Sequence, residues 1–157
     1  MSRKKCRRKV WNLVDPVQHA ILGATITDEA SLNKLRLSEL SAVDAFVRGV
    51  ATKQDWKTVA DMLNLTETMA HDGIGAEALD TCDRVTHALQ QAHRRYHQHG
   101  RMGLSGPEIV ALRELFDCHD QQRKLVSRSV YEQAIVKTRN RINSAHPSVK
   151  VLIDQPT

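Results

Sequence analysis

Aromatic residues are scarce in this chain. Phe, Trp and Tyr make up 4% of its 157 residues, so the core must be built from Leu, Ile, Val, Ala and Met. Such a core suits helix-on-helix packing better than a β-sandwich. Cysteine is sparse too. Cys6, Cys82 and Cys118 are odd in number, far apart and without a CxxC spacing. That pattern argues against a zinc knuckle or a disulfide framework and fits reduced thiols. The apolar runs are only a few residues long, too short to span a bilayer. The start MSRKKCRRKVW is basic but has no apolar h-region of a signal peptide. A cytoplasmic protein with no membrane partner is expected. No GxxxxGK[ST] string occurs, and Gly73-Ile74-Gly75 lacks the third glycine and the preceding strand of a dinucleotide loop. These glycines read as a turn between helices.

What the chain does have is an uneven distribution of charge. Residues 1–9 carry Arg3, Lys4, Lys5, Arg7, Arg8 and Lys9 and no acid. Residues 10–93 hold six bases against twelve acids, and residues 94–157 hold eleven bases against six acids. Cations packed this closely repel one another, so a disordered basic arm over 1–10 is expected. Such an arm can bind phosphates by releasing counterions. It can equally serve as a solubilising tail or fold back on the acidic half. Trp11, next to the arm, can act as a rigid aromatic contact or bury against the body.

The remaining length suits one domain, expected over 11–143 with a short extended tail over 144–157. Asp15 and Pro16 suit the start of a small helix, Val17 to Leu22, ended by Gly23. Residues 24–37 are ambiguous, since Leu35 and Leu37 alternate with charge in the manner of a short extended piece. Ser38 or Ser41 can cap a helix through Val43, Phe46 and Val47, with Gly49 at its C′ position. Thr52 and Asp55 have the spacing of a capping box, followed by Trp56, Val59, Ala60, Leu63 and Ala70 at helical intervals. A long helix carries the stripe Ala78, Leu79, Cys82, Val85, Leu89, Ala92 and Tyr96, and Gly100 ends it. Ser105-Gly106-Pro107-Glu108 starts another helix, with Ile109, Leu112, Leu115 and Phe116 facing the core. Ser129 and Glu132 repeat the box before Tyr131, Ala134, Ile135, Thr138 and Ile142. Val149, Val151 and Ile153 alternate as an edge strand would. The expected fold is all-α: a compact bundle of five or six helices.

Chemically active residue types are present, but their spacings fail. His93 and His97 are four apart on one helix face, with His99 beyond, yet no HExxH pattern or remote carboxylate pair completes a metal site. The neighbouring Arg94, Arg95 and Arg101 repel a cation. Cys118, His119 and Asp120 are consecutive, so on a helix they point about 100° apart and cannot form a relay. There His119 is expected beside the core stripe, with Asp117 and Asp120 in water. Glu114 and Asp117 lack the Glu-x-x-His partner of a di-iron bundle. No catalytic residue, metal or cofactor is therefore expected. The basic second half offers Lys137 and Arg141 on one face of the last helix, with Asn140 and Asn143 nearby, though a helix-turn-helix arrangement is not evident.

Three strings, RGVATKQDW (Arg48 to Trp56), LNLTETMAHDGIG (Leu63 to Gly75) and GRMGLSGPEIVALRELFDCHDQQ (Gly100 to Gln122), carry a resemblance over residues 10–142. The chain resembles small proteins encoded in phages, prophages and plasmids of proteobacteria. The resemblance brings no catalytic residues. It implies an accessory protein of a mobile element that acts by binding, for instance as an inhibitor of host defence or a modulator of host transcription. The expectation is thus a non-enzymatic protein that binds a host protein or nucleoprotein complex, with direct DNA or RNA binding as the alternative. The residues expected to make the contact are Arg3, Lys4, Lys5, Arg7, Arg8, Lys9, Trp11, Arg94, Arg95, Lys137 and Arg141.

Overall fold

The computed structural model describes residues 10–11, 29–144 and 150–151. Among them are five helices: α1 (Glu29–Val47), α2 (Lys53–His71), α3 (Ala78–His99), α4 (Gly106–Leu125) and α5 (Arg128–Ser144). The expected helix from Val17 to Leu22 and the basic residues 3–9 lie outside the described residues. Strands β1 (Val10–Trp11) and β2 (Lys150–Val151) pair in parallel, Val10 opposite Lys150 and Trp11 opposite Val151. Val149 and Ile153, the other residues of the expected edge strand, lie outside the described residues. β1 lies against α2 and α5. No described helix is long and apolar enough to cross a membrane.

Short connections force neighbouring helices to run antiparallel. Cross-helix contacts agree: the Trp56 indole N–H donates to Leu89 O across α2 and α3 at 3.1 Å, and Arg95 reaches Glu108 across α3 and α4. Helices α1 to α4 thus form an up-down-up-down bundle, and α5 packs on the outside of α2. The main core gathers Phe46, Trp56, Leu63, Leu89, Leu112 and Leu115. Met102, from the α3–α4 connection, plugs its end. A second, smaller cluster of Leu65, Met69, Tyr131, Ala134 and Ile135 joins α5 to α2.

The helix boundaries follow local chemistry. At the start of α2, the Thr52 N–H donates to Asp55 Oδ2 at 2.8 Å and the Asp55 N–H donates back to Thr52 Oγ1 at 3.3 Å, the reciprocal box that its spacing implies. At α4, the Ser105 N–H donates to Glu108 Oε2 at 2.7 Å. Gly49 ends α1 with φ 71°, so that the Val50 N–H closes back on Ala45 O at 2.9 Å. Helix α5 departs from expectation: it begins at Arg128, and the Ser127 hydroxyl accepts the Val130 N–H at 3.3 Å. Glu132 instead pairs with Arg128 one turn back, at 2.9 Å, so the Ser129 box does not form.

Helix α1 takes in the expected helix through Val43, Phe46 and Val47 but begins at Glu29, within the residues left ambiguous, so Ser38 and Ser41 lie inside it rather than capping it. Leu37 is 64% exposed and Leu40 41%, while Leu35, Ala42, Val43 and Phe46 are buried. The exposed leucines blur the helical stripe and leave an apparent alternation with charge.

Gly75 has a close neighbour as well as a positive φ. Its φ is 63°, and a Cβ there would lie 3.2 Å from Gln122 Cγ and 3.3 Å from Gln122 Nε2. That amide donates to Thr66 O at 3.1 Å and to Ile74 O at 2.8 Å, tying α4 to the α2–α3 turn. Gly49 has a similar φ but no neighbour within 4 Å. Both Gly→Ala changes carry the left-handed penalty of roughly 1–2 kcal/mol. Gly75→Ala should cost at least about 1 kcal/mol more, the net value of a displaced hydrogen bond, in urea unfolding. Equal losses at the two positions would show that the Gln122 clamp contributes nothing.

Candidate binding surface

Polar groups in this protein fall into a buried cluster where four helices meet and a set of surface charges, most of them paired. The buried cluster centres on His119 of α4, which is wholly buried. The Thr66 hydroxyl donates to Met62 O at 2.8 Å, so its oxygen accepts from His119 Nδ1 at 3.0 Å. The proton order then follows from the inventory of donors: with the ring proton on Nδ1, the bare Nε2 accepts from the Tyr131 hydroxyl at 3.3 Å. Glu39 of α1 is 5% exposed and is gripped through both carboxylate oxygens by the Arg123 guanidinium. Its Oε1 lies 3.6 Å from His119 Nε2.

Burial pushes the His119 pKa well below 6.5, and the nearby Arg123 cation pushes the same way, so the ring is neutral in the fold. Burial raises the Glu39 carboxyl, with Arg123 pulling against it. Burial also raises the Tyr131 phenol. Asp120 differs from expectation. It is 7% exposed rather than solvated, because Arg36 of α1 pairs with it at 2.6 Å and Lys124 at 2.9 Å. Sequence spacing could not reveal this cluster, whose members come from α1, α2, α4 and α5. The one signal was His119 beside the apolar stripe of α4.

Of the residues expected to bind a partner, four have described side chains. Arg95 donates to Glu108 Oε2 and to Gly103 O, both at 2.7 Å, and thereby fastens the α3–α4 connection. Burial raises the Glu108 carboxyl, but Arg95 and the Ser105 N–H outweigh it and hold the group low. Lys137 is 2.7 Å from both carboxylate oxygens of Asp72. Arg141 reaches Glu67 at 3.3 Å and Asn64 O at 3.4 Å. These three cations join helices. Arg94 is exposed, and no described carboxylate pairs with it. Trp11 belongs to β1, and residues 3–9 lie outside the described residues.

Arg101, grouped with Arg94 and Arg95 in the sequence, is exposed, as is Lys53, which the sequence did not single out. Lys53 Nζ stands 5.4 Å from the Tyr96 ring centroid. Tyr96 meets His97 edge-on at 5.8 Å, and His97 meets His93 at 4.5 Å with the two Nε2 atoms 3.2 Å apart. Among the described residues no group of three or more His, Cys, Asp or Glu could hold a metal ion. A shallow apolar groove between α3 and α4 is lined by Asp83, Arg84, His87, Pro107, Glu108 and Ala111. No family model, curated protein or solved structure matches the chain.

Two measurements test the buried cluster. Arg123→Met should destabilise the fold by roughly 3 kcal/mol, because it strands a buried carboxylate, and adding Glu39→Leu should recover most of that loss. A double variant as unstable as the sum of the two singles would rule the pairing out. His119 sets a pH dependence. Below pH 6.5 the unfolded chain takes up a proton that the folded ring refuses, so stability falls toward acid by at most about 1.4 kcal/mol per pH unit. Glu39, with its raised pKa, favours the fold as pH drops and opposes this trend, so the comparison must be with His119→Gln. Parallel stability curves for the two proteins between about pH 6.5 and 5, the window that opens below the ordinary histidine value, would refute the assignment.

Proposed function

We propose that this is a non-enzymatic accessory protein of a phage or other mobile element, acting in the host cytoplasm. It binds and modulates a host protein or nucleoprotein complex, as an inhibitor of a defence or transcription machine would. The partition of charge carries this reading. Residues 1–9 bear six cations and no acid, whereas the remaining chain has 17 bases and 18 acids. Within that body many cations are held by carboxylates on neighbouring helices, as Arg95, Arg123, Lys137 and Arg141 are. Uncompensated positive charge is therefore concentrated in the arm, where it steers association with an acidic partner. The buried position of His119 supports a structural use for its cluster. Direct DNA or RNA binding is the second reading, favoured by the unpaired cations Lys53, Arg94 and Arg101.

Affinity capture from a proteobacterial lysate, with and without nuclease, tests the proposal. The full chain should retain one partner stoichiometrically, and a chain lacking residues 2–9 should lose it. Capture of nothing in either lysate, or equal capture by both chains, would overturn the role given to the arm.

A further inference from the structure

Helix order brings four chain segments to one end of the bundle: the C-termini of α1 and α3 and the N-termini of α2 and α4. The charged groups there are not balanced. Arg48, Lys53, Arg94, Arg95 and Arg101 stand there with Asp44, Asp55 and Glu108. Each of those acids is already engaged. Asp44 holds Arg48 at 2.7 Å, Asp55 caps α2, and Glu108 holds Arg95. Lys53, Arg94 and Arg101 are exposed and without a carboxylate among the described residues. At the opposite end Asp72, Asp80 and Asp120 are each met by a cation, Lys137, Arg84 and the pair Arg36 and Lys124.

We infer that the cationic end is a surface for the phosphodiester backbone of nucleic acid, with Arg94, Arg101 and Lys53 as the phosphate contacts. The inference rests on the reading that the protein engages a nucleoprotein complex, and it names the component touched. What favours a nucleic acid over an acidic protein is the interleaving of rings with cations. Lys53 lies over Tyr96, Tyr96 meets His97, and His97 meets His93. Tyr96, packed on the core and covered by Lys53, is partly exposed, and His97 beside it is exposed. Cationic grooves with adjacent aromatic faces accept the backbone and bases of nucleic acid without demanding a sequence. An acidic protein surface has no use for the rings.

The test is fluorescence anisotropy on the full chain with a labelled 20-nucleotide single strand and a 20-base-pair duplex across a salt series. Arg94→Glu/Arg101→Glu is compared with Lys34→Glu/Arg113→Glu. Both doubles change net charge equally and touch exposed cations without described carboxylate partners, so folding should survive, as a thermal melt will verify. The first double should weaken binding at least about tenfold and flatten the slope of log K against log salt by roughly two, one for each lost phosphate contact. The control should lose less than about threefold. Equal losses in the two doubles would mean that only net charge acts, and wild-type affinity in the first would mean that the arm alone binds. Either result overturns the inference. Absence of wild-type binding to both probes at low salt overturns it too. Nuclease-resistant capture of a host partner in that case would leave the proposed function standing with an acidic protein as target.

Discussion

Helix α2 is buried on every side, and the rest of the molecule is arranged to permit that. Every residue from Val59 to Ala70 is buried. Three full turns with no solvent face require neighbours all round, and α1, α3, α4 and α5 supply them. The segment is not uniformly apolar, since Asp61, Asn64, Thr66, Glu67 and Thr68 all lie within it. Buried polar groups must be paired, and an unpaired one costs about 1–3 kcal/mol. The hydroxyls of Thr66 and Thr68 donate back to Met62 O and Asn64 O. Their oxygens then accept from His119 on α4 and from Thr138 on α5, the latter at 2.8 Å. Apolar contacts would tolerate small slips of α4 and α5 along α2. These directional bonds do not, and so they specify register.

The same demand explains how charge is used. A helix such as α5, held through a small apolar cluster, needs further anchors. Arg141 and Lys137 supply them by reaching Glu67 of α2 and Asp72 at its C-cap. On the other side of the bundle Arg36 and Arg123 tie α1 to α4 through Asp120 and Glu39. Arg84 bridges α3 to Glu114 of α4. Apart from the buried Arg123–Glu39 pair, partly exposed pairs of this kind contribute little stability each, about 0–1 kcal/mol. Their larger effect is to neutralise the flanks of the bundle. Exposed cations without a described carboxylate remain, Arg94 and Arg101 at one bundle end among them.

How much of this could be read from the chain depends on the range of the interaction. Boundaries set by neighbours within a turn were legible: the Thr52–Asp55 box, the Ser105–Glu108 box and the Gly49 stop. So were the stripes of α3 and α5, whose members Val85, Leu89, Tyr131 and Ile135 are buried. The first half of α1 was not, because Leu37 and Leu40 face outward and break the period. Asp120 looked like a surface acid because its partner Arg36 lies 84 residues away. Lys137 and Arg141 were rightly placed on one helical face, but what that face meets is the acidic side of α2, which no local pattern reveals. Lys53 meets Tyr96 only because antiparallel helices fold the start of α2 beside the end of α3.

These observations separate two uses of polar chemistry that the composition alone would merge. Histidine, tyrosine, glutamate and arginine meet around His119, a combination of residue types that also serves acid–base catalysis. Here the ring is fully buried, its two nitrogens are both engaged, and Tyr131 and Glu39 are buried with it. A proton moving into this cluster would charge a group that burial holds neutral. Protonation of His119 is therefore unfavourable in the fold. If the proposed binding holds, the cations of residues 3–9 and those at one bundle end would reinforce each other when a partner spans both, since engagement of one raises the effective concentration of the other.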